Sequence, residues 1–293
     1  MDSGSTVPRR QLGRYLRELR EGASITVAAA AKALDWSAPR IWRYESGQVP
    51  MAQTDVEAMC RLYGAPSETT ELLKALARET KNRGWWHAYE RALPEWFKLY
   101  VGLEAAAARI RKYADTIVPG LLQTVEYTNE VIAVDVPELT LEDRQAKATV
   151  RLQRQALLSR ALPPAPRLDV VLSEAVIRRP LRDPAAMVRQ LDHLVMAGKR
   201  HNVTVRVVPL AAGMHRWTAA GSFTVLDFPR EGVRAPEPTT VYSDGPAGAY
   251  YLDKPNEIST YEAIWASLDG IALDERQSRK VIAAAAREYD GGA

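Results

Sequence analysis

The sequence has a single cysteine, Cys60, so no internal disulfide can form and no cysteine-built metal site can assemble. No apolar run approaches the roughly 18 residues that a membrane span requires. The opening residues, Met1-Asp2-Ser3-Gly4-Ser5-Thr6-Val7-Pro8, lack the apolar core of a secretion signal, and a cytoplasmic location is expected. A charge excess of one sign is missing too. Against 39 basic residues stand 36 acidic ones, and the resulting +3 is too near balance to mark a nucleic-acid binder. Catalytic signatures are equally absent. There is no His-Glu-x-x-His and no Gly-x-Ser-x-Gly elbow. The glycines of Ala211-Ala212-Gly213-Met214 and Gly245-Pro246-Ala247-Gly248 fit neither a phosphate loop nor a dinucleotide fingerprint, and read as turns. His87, His193, His201 and His215 have no ligand spacing with carboxylates. No enzyme activity, no metal and no cofactor are expected.

What is present is ordinary for a globular protein. The 293 residues are 46% hydrophobic and 26% charged, enough for a real core and for about two domains. The basic excess is unevenly placed. Residues 1–50 hold eight bases (Arg9, Arg10, Arg14, Arg17, Arg20, Lys32, Arg40, Arg43) and five acids, so the whole net charge can be assigned to the first sixth of the chain. A basic N-terminal module suits a phosphate-contacting surface, although Arg9, Arg10 and Arg14 read first as a solvated face.

From Arg10 to Lys81 the periodicity is helical. Leu12, Leu16 and Leu19 form one apolar stripe on a first helix. Thr26 caps a second helix that runs through Leu34, Ser37 caps a third with Pro39 in its first turn, and Thr54-Asp55-Val56-Glu57 reads as a capping box for a fourth. A fifth spans about Ser67 to Lys81. The segment from Arg83 to Leu103 is rich in aromatics: Trp85, Trp86, Tyr89, Trp96, Phe97 and Tyr100. This reads as an interdomain core or, alternatively, as an effector cage. Helical patterns follow at Leu103–Tyr113, Pro119–Val134 and Thr140–Leu162. Past Pro163 come β-branched runs at Leu168–Leu172, Val203–Val208, Phe223–Phe228 and Thr239–Tyr242, with helices at Pro184–Ala197, Glu257–Leu268 and Asp274–Glu288. The expected organisation is mainly α: a helical N-terminal domain over 1–82, an aromatic-rich helical connector over 83–118, and an α+β domain over 119–293.

Residues 26–45 carry two short helices joined by three or four residues, the spacing of a helix-turn-helix. Ala30 and Ala31 are small where the helices must cross. Val27, Leu34, Ile41 and Tyr44 anchor them, and Ala38, Pro39, Arg40 and Arg43 are left to face outward. The run Leu16-Arg17-Glu18-Leu19-Arg20, with Ile25-Thr26, Ala30, Trp36-Ser37, Arg40-Ile41, Arg43 and Glu45-Ser46-Gly47, resembles the xenobiotic-response-element (Cro/repressor-like) regulators and their five-helix fold. The likeness continues through Gly84-Trp85-Trp86-His87, Leu103-Glu104, Pro119-Gly120-Leu121-Leu122-Gln123-Thr124, Arg151 with Arg154-Gln155, Gln190-Leu191 with His193-Leu194, Gly221-Ser222-Phe223 and Val241-Tyr242. Together these segments are similar to the WhiJ-type, antitoxin-like regulators of actinomycetes.

That resemblance implies a sequence-specific regulator that binds an operator in duplex DNA as a homodimer. Its C-terminal domain would respond to a small cognate protein or a small-molecule effector. The alternative is an antitoxin-like protein that sequesters a small partner and regulates its own operon. By the same resemblance, Arg20 and Glu45 form a structural ion pair. Thr26 and Ser46 donate to phosphates, Ala38, Pro39 and Arg43 reach base edges, Arg40 flanks them, and Ser37 and Gln48 complete the contact surface. Two residues depart from the pattern: Asp35, where glycine is common, and Trp42, where a small polar residue is usual.

Overall fold

The computed structural model describes residues 6–47, 49–79, 95–161, 163–215, 218–229, 238–245 and 248–290. The chain divides into two compact units, Met1–Ala88 and Tyr89–Ala293.

The first unit holds five helices among its described residues: α1 (Thr6–Gly22), α2 (Val27–Leu34), α3 (Ala38–Glu45), α4 (Gln53–Leu62) and α5 (Ser67–Glu79). Leu12, Leu16, Ala30, Ile41, Met51, Val56, Met59, Cys60 and Leu73 make its core, with Leu19, Val27 and Leu34 packed partly buried around them. Thr26 caps α2 by accepting from the Ala29 amide, and Asp35 ends it in the left-handed conformation (φ 55°, ψ 42°), which Asp tolerates better than most residues. Two expected caps are not made. Ser37 sits at the N-cap of α3 without a side-chain cap bond, although Pro39 does occupy the first turn. The fourth helix starts earlier than the capping-box reading, with Ala52 at its N-cap. Arg9, read as part of a solvated face, is buried.

Glycine decides how closely α1 and α3 approach. A Cβ on Gly13 would lie 2.5 Å from the Tyr44 carbonyl oxygen and 2.7 Å from that of Glu45. Gly47 has φ +68°, and a Cβ there would lie 2.6 Å from the Arg10 Cα. Neither position leaves room for any other side chain.

The second unit is a mixed sheet with helices. After α6 (Glu95–Ala106) come β1 (Arg109–Ala114), a 3₁₀ turn at Gly120–Leu122, α7 (Val125–Asp135), α8 (Leu141–Gln153) and a second 3₁₀ turn at Arg154–Leu158. Then follow β2 (Arg167–Ser173), α9 (Glu174–Arg178), α10 (Pro184–Ala197), β3 (Val203–Val208), β4 (Phe223–Asp227), β5 (Thr240–Gly245), β6 (Gly248–Leu252), α11 (Pro255–Ile271) and α12 (Glu275–Asp290). The strand order is β3-β2-β1-β4-β5-β6. Strands β1, β2 and β3 pair in parallel, and β4, β5 and β6 continue antiparallel. One face packs Tyr113, Val171, Phe223, Val225 and Val241 against Ile264, Trp265 and Leu268 of α11. The α+β class holds.

The expected connector over 83–118 does not. Residues 109–114 form an inner strand of the sheet, between β2 and β4, so the segment cannot be a separate helical link. The helical pattern at Leu103–Tyr113 holds as far as Ala106, the end of α6, and beyond it misread a strand, two of whose three bases are met by carboxylates on neighbouring elements. Arg109 pairs with Asp169 at 2.7 Å, and Arg111 pairs with Glu262 at 2.5 Å and Asp227 at 3.0 Å. Strand β6 and helix α9 also escaped the sequence reading. The glycine turn at residues 245–248 is the β5–β6 hairpin, where Gly245 pairs with Gly248.

Candidate functional site

The helix-turn-helix is formed by α2 and α3. Ala30 and Ala31 are buried between the helices, and Ile41, Tyr44 and Glu45 turn the inner face of α3 into the core. Pro39, Trp42 and Arg43, spaced i, i+3 and i+4, then share one outward stripe, with Ala38 beside them; all four are exposed. Trp42 is 54% exposed, unusual for an indole.

Arg20 and Glu45 meet in a bidentate pair, Nε to Oε1 at 2.7 Å and Nη2 to Oε2 at 2.8 Å. Both are buried, and Arg20 Nη1 also donates to the Ile25 carbonyl at 2.9 Å. The pair thus ties α1, the α1–α2 turn and the end of α3 together. The hydrogen bond from Arg20 to Glu45 raises the guanidinium pKa further, against the opposing effect of burial.

The remaining site residues divide by what their polar atoms already do. The Thr26 oxygen accepts from Ala29 at 3.1 Å, which leaves its hydroxyl proton to donate outward. Ser37 has no cap bond, and Arg43 extends from the exposed stripe. Ser46 differs from expectation: its hydroxyl donates back to the Trp42 carbonyl at 2.7 Å, which uses its proton inside the helix. Arg40 differs as well. Its Nη2 donates to Asp55 at 2.9 Å, its Nε donates to the Tyr44 hydroxyl at 3.3 Å, and its guanidinium lies 4.1 Å from the centre of the Trp36 ring. It braces α3 against α4 rather than standing free on the flank. Gln48 lies outside the described residues. So do Trp85, Trp86 and Tyr89 of the aromatic segment, and of Trp96 only the backbone, in α6, is described.

Phe97 lies with Tyr100 in the second unit, the rings 5.8 Å apart, and both border a cavity of about 260 Å³. Arg154 is buried against the two rings, 5.1 and 5.3 Å from their centres, and holds Glu104 in a bidentate pair at 2.7 and 2.6 Å. The turn at 118–124 is fixed by amide side chains. Gln123 donates to the Val118 carbonyl, Gln155 to the Gly120 and Gln123 carbonyls, and Gln190 to the Leu122 carbonyl. The resemblance drew on several of these residues, but their contacts had no local signal, because they join separate segments of the chain.

Residues 11–73 match the family model of a helix-turn-helix domain, and with α3 exposed as described the protein is a helix-turn-helix DNA-binding regulator. Residues 97–284 match the model of a domain of unknown function (DUF5753), and the chain belongs to that family. No curated protein and no solved structure matches the chain. No described helix is long and apolar enough to cross a membrane.

Proposed function

We propose that this protein is a sequence-specific transcriptional regulator of the xenobiotic-response-element type, akin to the WhiJ-type regulators, whose second unit binds a small-molecule effector. The carrying observation for the DNA end is the outward stripe Pro39–Trp42–Arg43 on α3, braced from behind by Arg20–Glu45 and Arg40–Asp55. An exposed helix end of this kind fits the major groove. Arg43 is suited to the paired acceptors of a guanine, and Ala38 or Pro39 to a thymine methyl. Thr26 and Ser37 are the donors with protons to give to phosphates. One such module touches one half-site, so the working species is a homodimer on DNA.

Of the two effector classes compatible with the sequence, the cavity supports the small molecule. Glu104, Pro119-Gly120-Leu121, Gln123, Arg151, Arg154, Ser222 and Tyr242 belong to separate segments of the WhiJ-like resemblance, and all of them border it. The unit acts in this reading by binding and not by catalysis. Selection of the bound sequence from a random duplex pool tests the DNA end. A single enriched motif with two half-sites about 34–36 Å apart is expected, and binding with no enriched motif would refute the reading.

A further inference from the structure

Two of the residues that border the cavity, Lys112 and Tyr242, stand in one row of side chains across the sheet. Registered pairing puts Lys112 of β1 beside Thr224 of β4, Thr224 beside Tyr242 of β5, and Tyr242 beside Tyr251 of β6. Tyr100 of α6 stacks on Tyr242 of this row, the ring centres 4.1 Å apart. Ile110, Ile117, Val118 and Leu121 supply an apolar wall. A compartment of this size and lining suits a small organic molecule, just under the usual range of roughly 300–1,000 Å³.

Its charges are not balanced. Three cations border it: Lys112, Arg151 and Arg154. Arg154 is neutralised by Glu104 at 2.6 Å. Arg151 gives one hydrogen bond to the neutral Gln123 amide oxygen at 3.0 Å, and among the described residues neither it nor Lys112 has a carboxylate within ion-pair distance. Each keeps only part of its surface exposed. Burial, followed by the neighbouring Arg154 cation, pushes the Arg151 pKa down to about 10, and burial lowers that of Lys112. From beyond ion-pair distance, Asp244, Glu104 and Asp115 act on Lys112, and Asp135 and Asp244 on Arg151; of these carboxylates only Glu104, paired with Arg154, and Asp244, exposed at the edge, border the cavity. Among the side chains that line the cavity, three cations stand against two carboxylates, which leaves room for one further negative charge.

We infer that this cavity is a binding site for a small organic monoanion, an apolar or aromatic body bearing one carboxylate, with the carboxylate held between Arg151 and Lys112 and the body on the Tyr100–Tyr242 side. Asp244 disfavours dianions, and the apolar wall disfavours a bare inorganic ion. That occupancy alters DNA binding rests on the regulatory reading above; the site itself does not.

The test is calorimetric titration of the full chain with benzoate, phenylacetate and hexanoate, with phenylacetamide as the neutral isostere and inorganic phosphate as the bare anion. At least one carboxylate is expected to bind at one per chain, and phenylacetamide at least roughly tenfold more weakly, as losing a charge-assisted hydrogen bond implies. Arg151→Met and Lys112→Met should each weaken the carboxylate by a similar factor. Arg151→Met should also raise the unfolding temperature of the unliganded protein, since it removes a partly buried cation that has no carboxylate partner. Absence of carboxylate binding, equal binding of the amide, or binding of phosphate alone overturns the site. So does an Arg151→Met variant that melts lower and binds carboxylate as tightly as the parent, because Arg151 then serves only the fold. Tight carboxylate binding that leaves operator affinity unchanged supports the site and refutes the regulatory reading alone.

Discussion

Arg20 and Arg43 lie on adjoining helices of one small domain, yet their environments assign them opposite kinds of work. Arg20 is spent on Glu45 inside the protein, and Arg43 points outward from the stripe it shares with Trp42. Replacing Arg43 by alanine is expected to leave the unfolding temperature almost unchanged. It should cost about 1–3 kcal/mol of operator binding and relax preference at one base position, which a competition assay over single-base variants would read. Replacing Arg20 by alanine should instead destabilise the domain by about 3–5 kcal/mol, because Glu45 is left charged and buried; a urea unfolding curve checks it. The sequence alone could not pair residues 25 apart, and the pairing came from family resemblance. Asp55 was read as part of a capping box. Its role as the acceptor for both Arg40 and Tyr44 left no local signal.

Elements meet where backbone geometry permits, and α1 against α3 is the clearest instance. Glycine in a helix interior ordinarily costs about 1 kcal/mol relative to alanine, so Gly13→Ala in isolation should stabilise α1. Here the added Cβ would sit 2.5 Å from the Tyr44 carbonyl oxygen, and the crossing should open. The expected result is a lower melting temperature together with weaker DNA binding, since α3 is displaced. A variant melting higher than the parent would contradict the packing. At β1 the device is electrostatic. The hydrogen bond from Arg111 is the main cause holding the Glu262 carboxyl below its ordinary value, against the opposing effect of burial. A depressed carboxyl pKa contributes stability that is full above the unfolded value, about 4.3, and is lost as the pH falls through the folded value. The stability gap between the parent and Glu262→Gln should therefore be open at pH 7 and close below about pH 4, measured by denaturant unfolding across that range. Residues Arg109–Ala114 carry three bases in six positions, which hid the strand; carboxylates on β2, β4 and α11 answer two of them, Arg109 and Arg111, inside the sheet.

At the scale of the molecule, one small DNA-reading unit is joined to a larger unit with a cavity of its own. If the working species on DNA is a two-headed dimer, its grip depends on half-sites lying on one face of the duplex. Inserting five base pairs between the selected half-sites rotates one of them by about half a helical turn, and binding should fall to the level of a single half-site. Undiminished binding in an anisotropy titration would mean that the heads act independently.

Periodicity, capping residues and turn chemistry are local properties, and the sequence by itself determined what depends on them. These are the helical N-terminal unit, Thr26 as the cap of α2, Pro39 in the first turn of α3, and four of the six strands. Tertiary structure alone decided which side chains meet. It spent the protons of Ser46 and the guanidinium of Arg40 inside the protein, and it drew a charged segment into the middle of a sheet. It also set Lys112 and Arg151 around one cavity without a carboxylate between them. Those outcomes depend on contacts between residues far apart in the chain, and the energy of an ion pair or a buried cation is defined only once its neighbours have displaced the water around it.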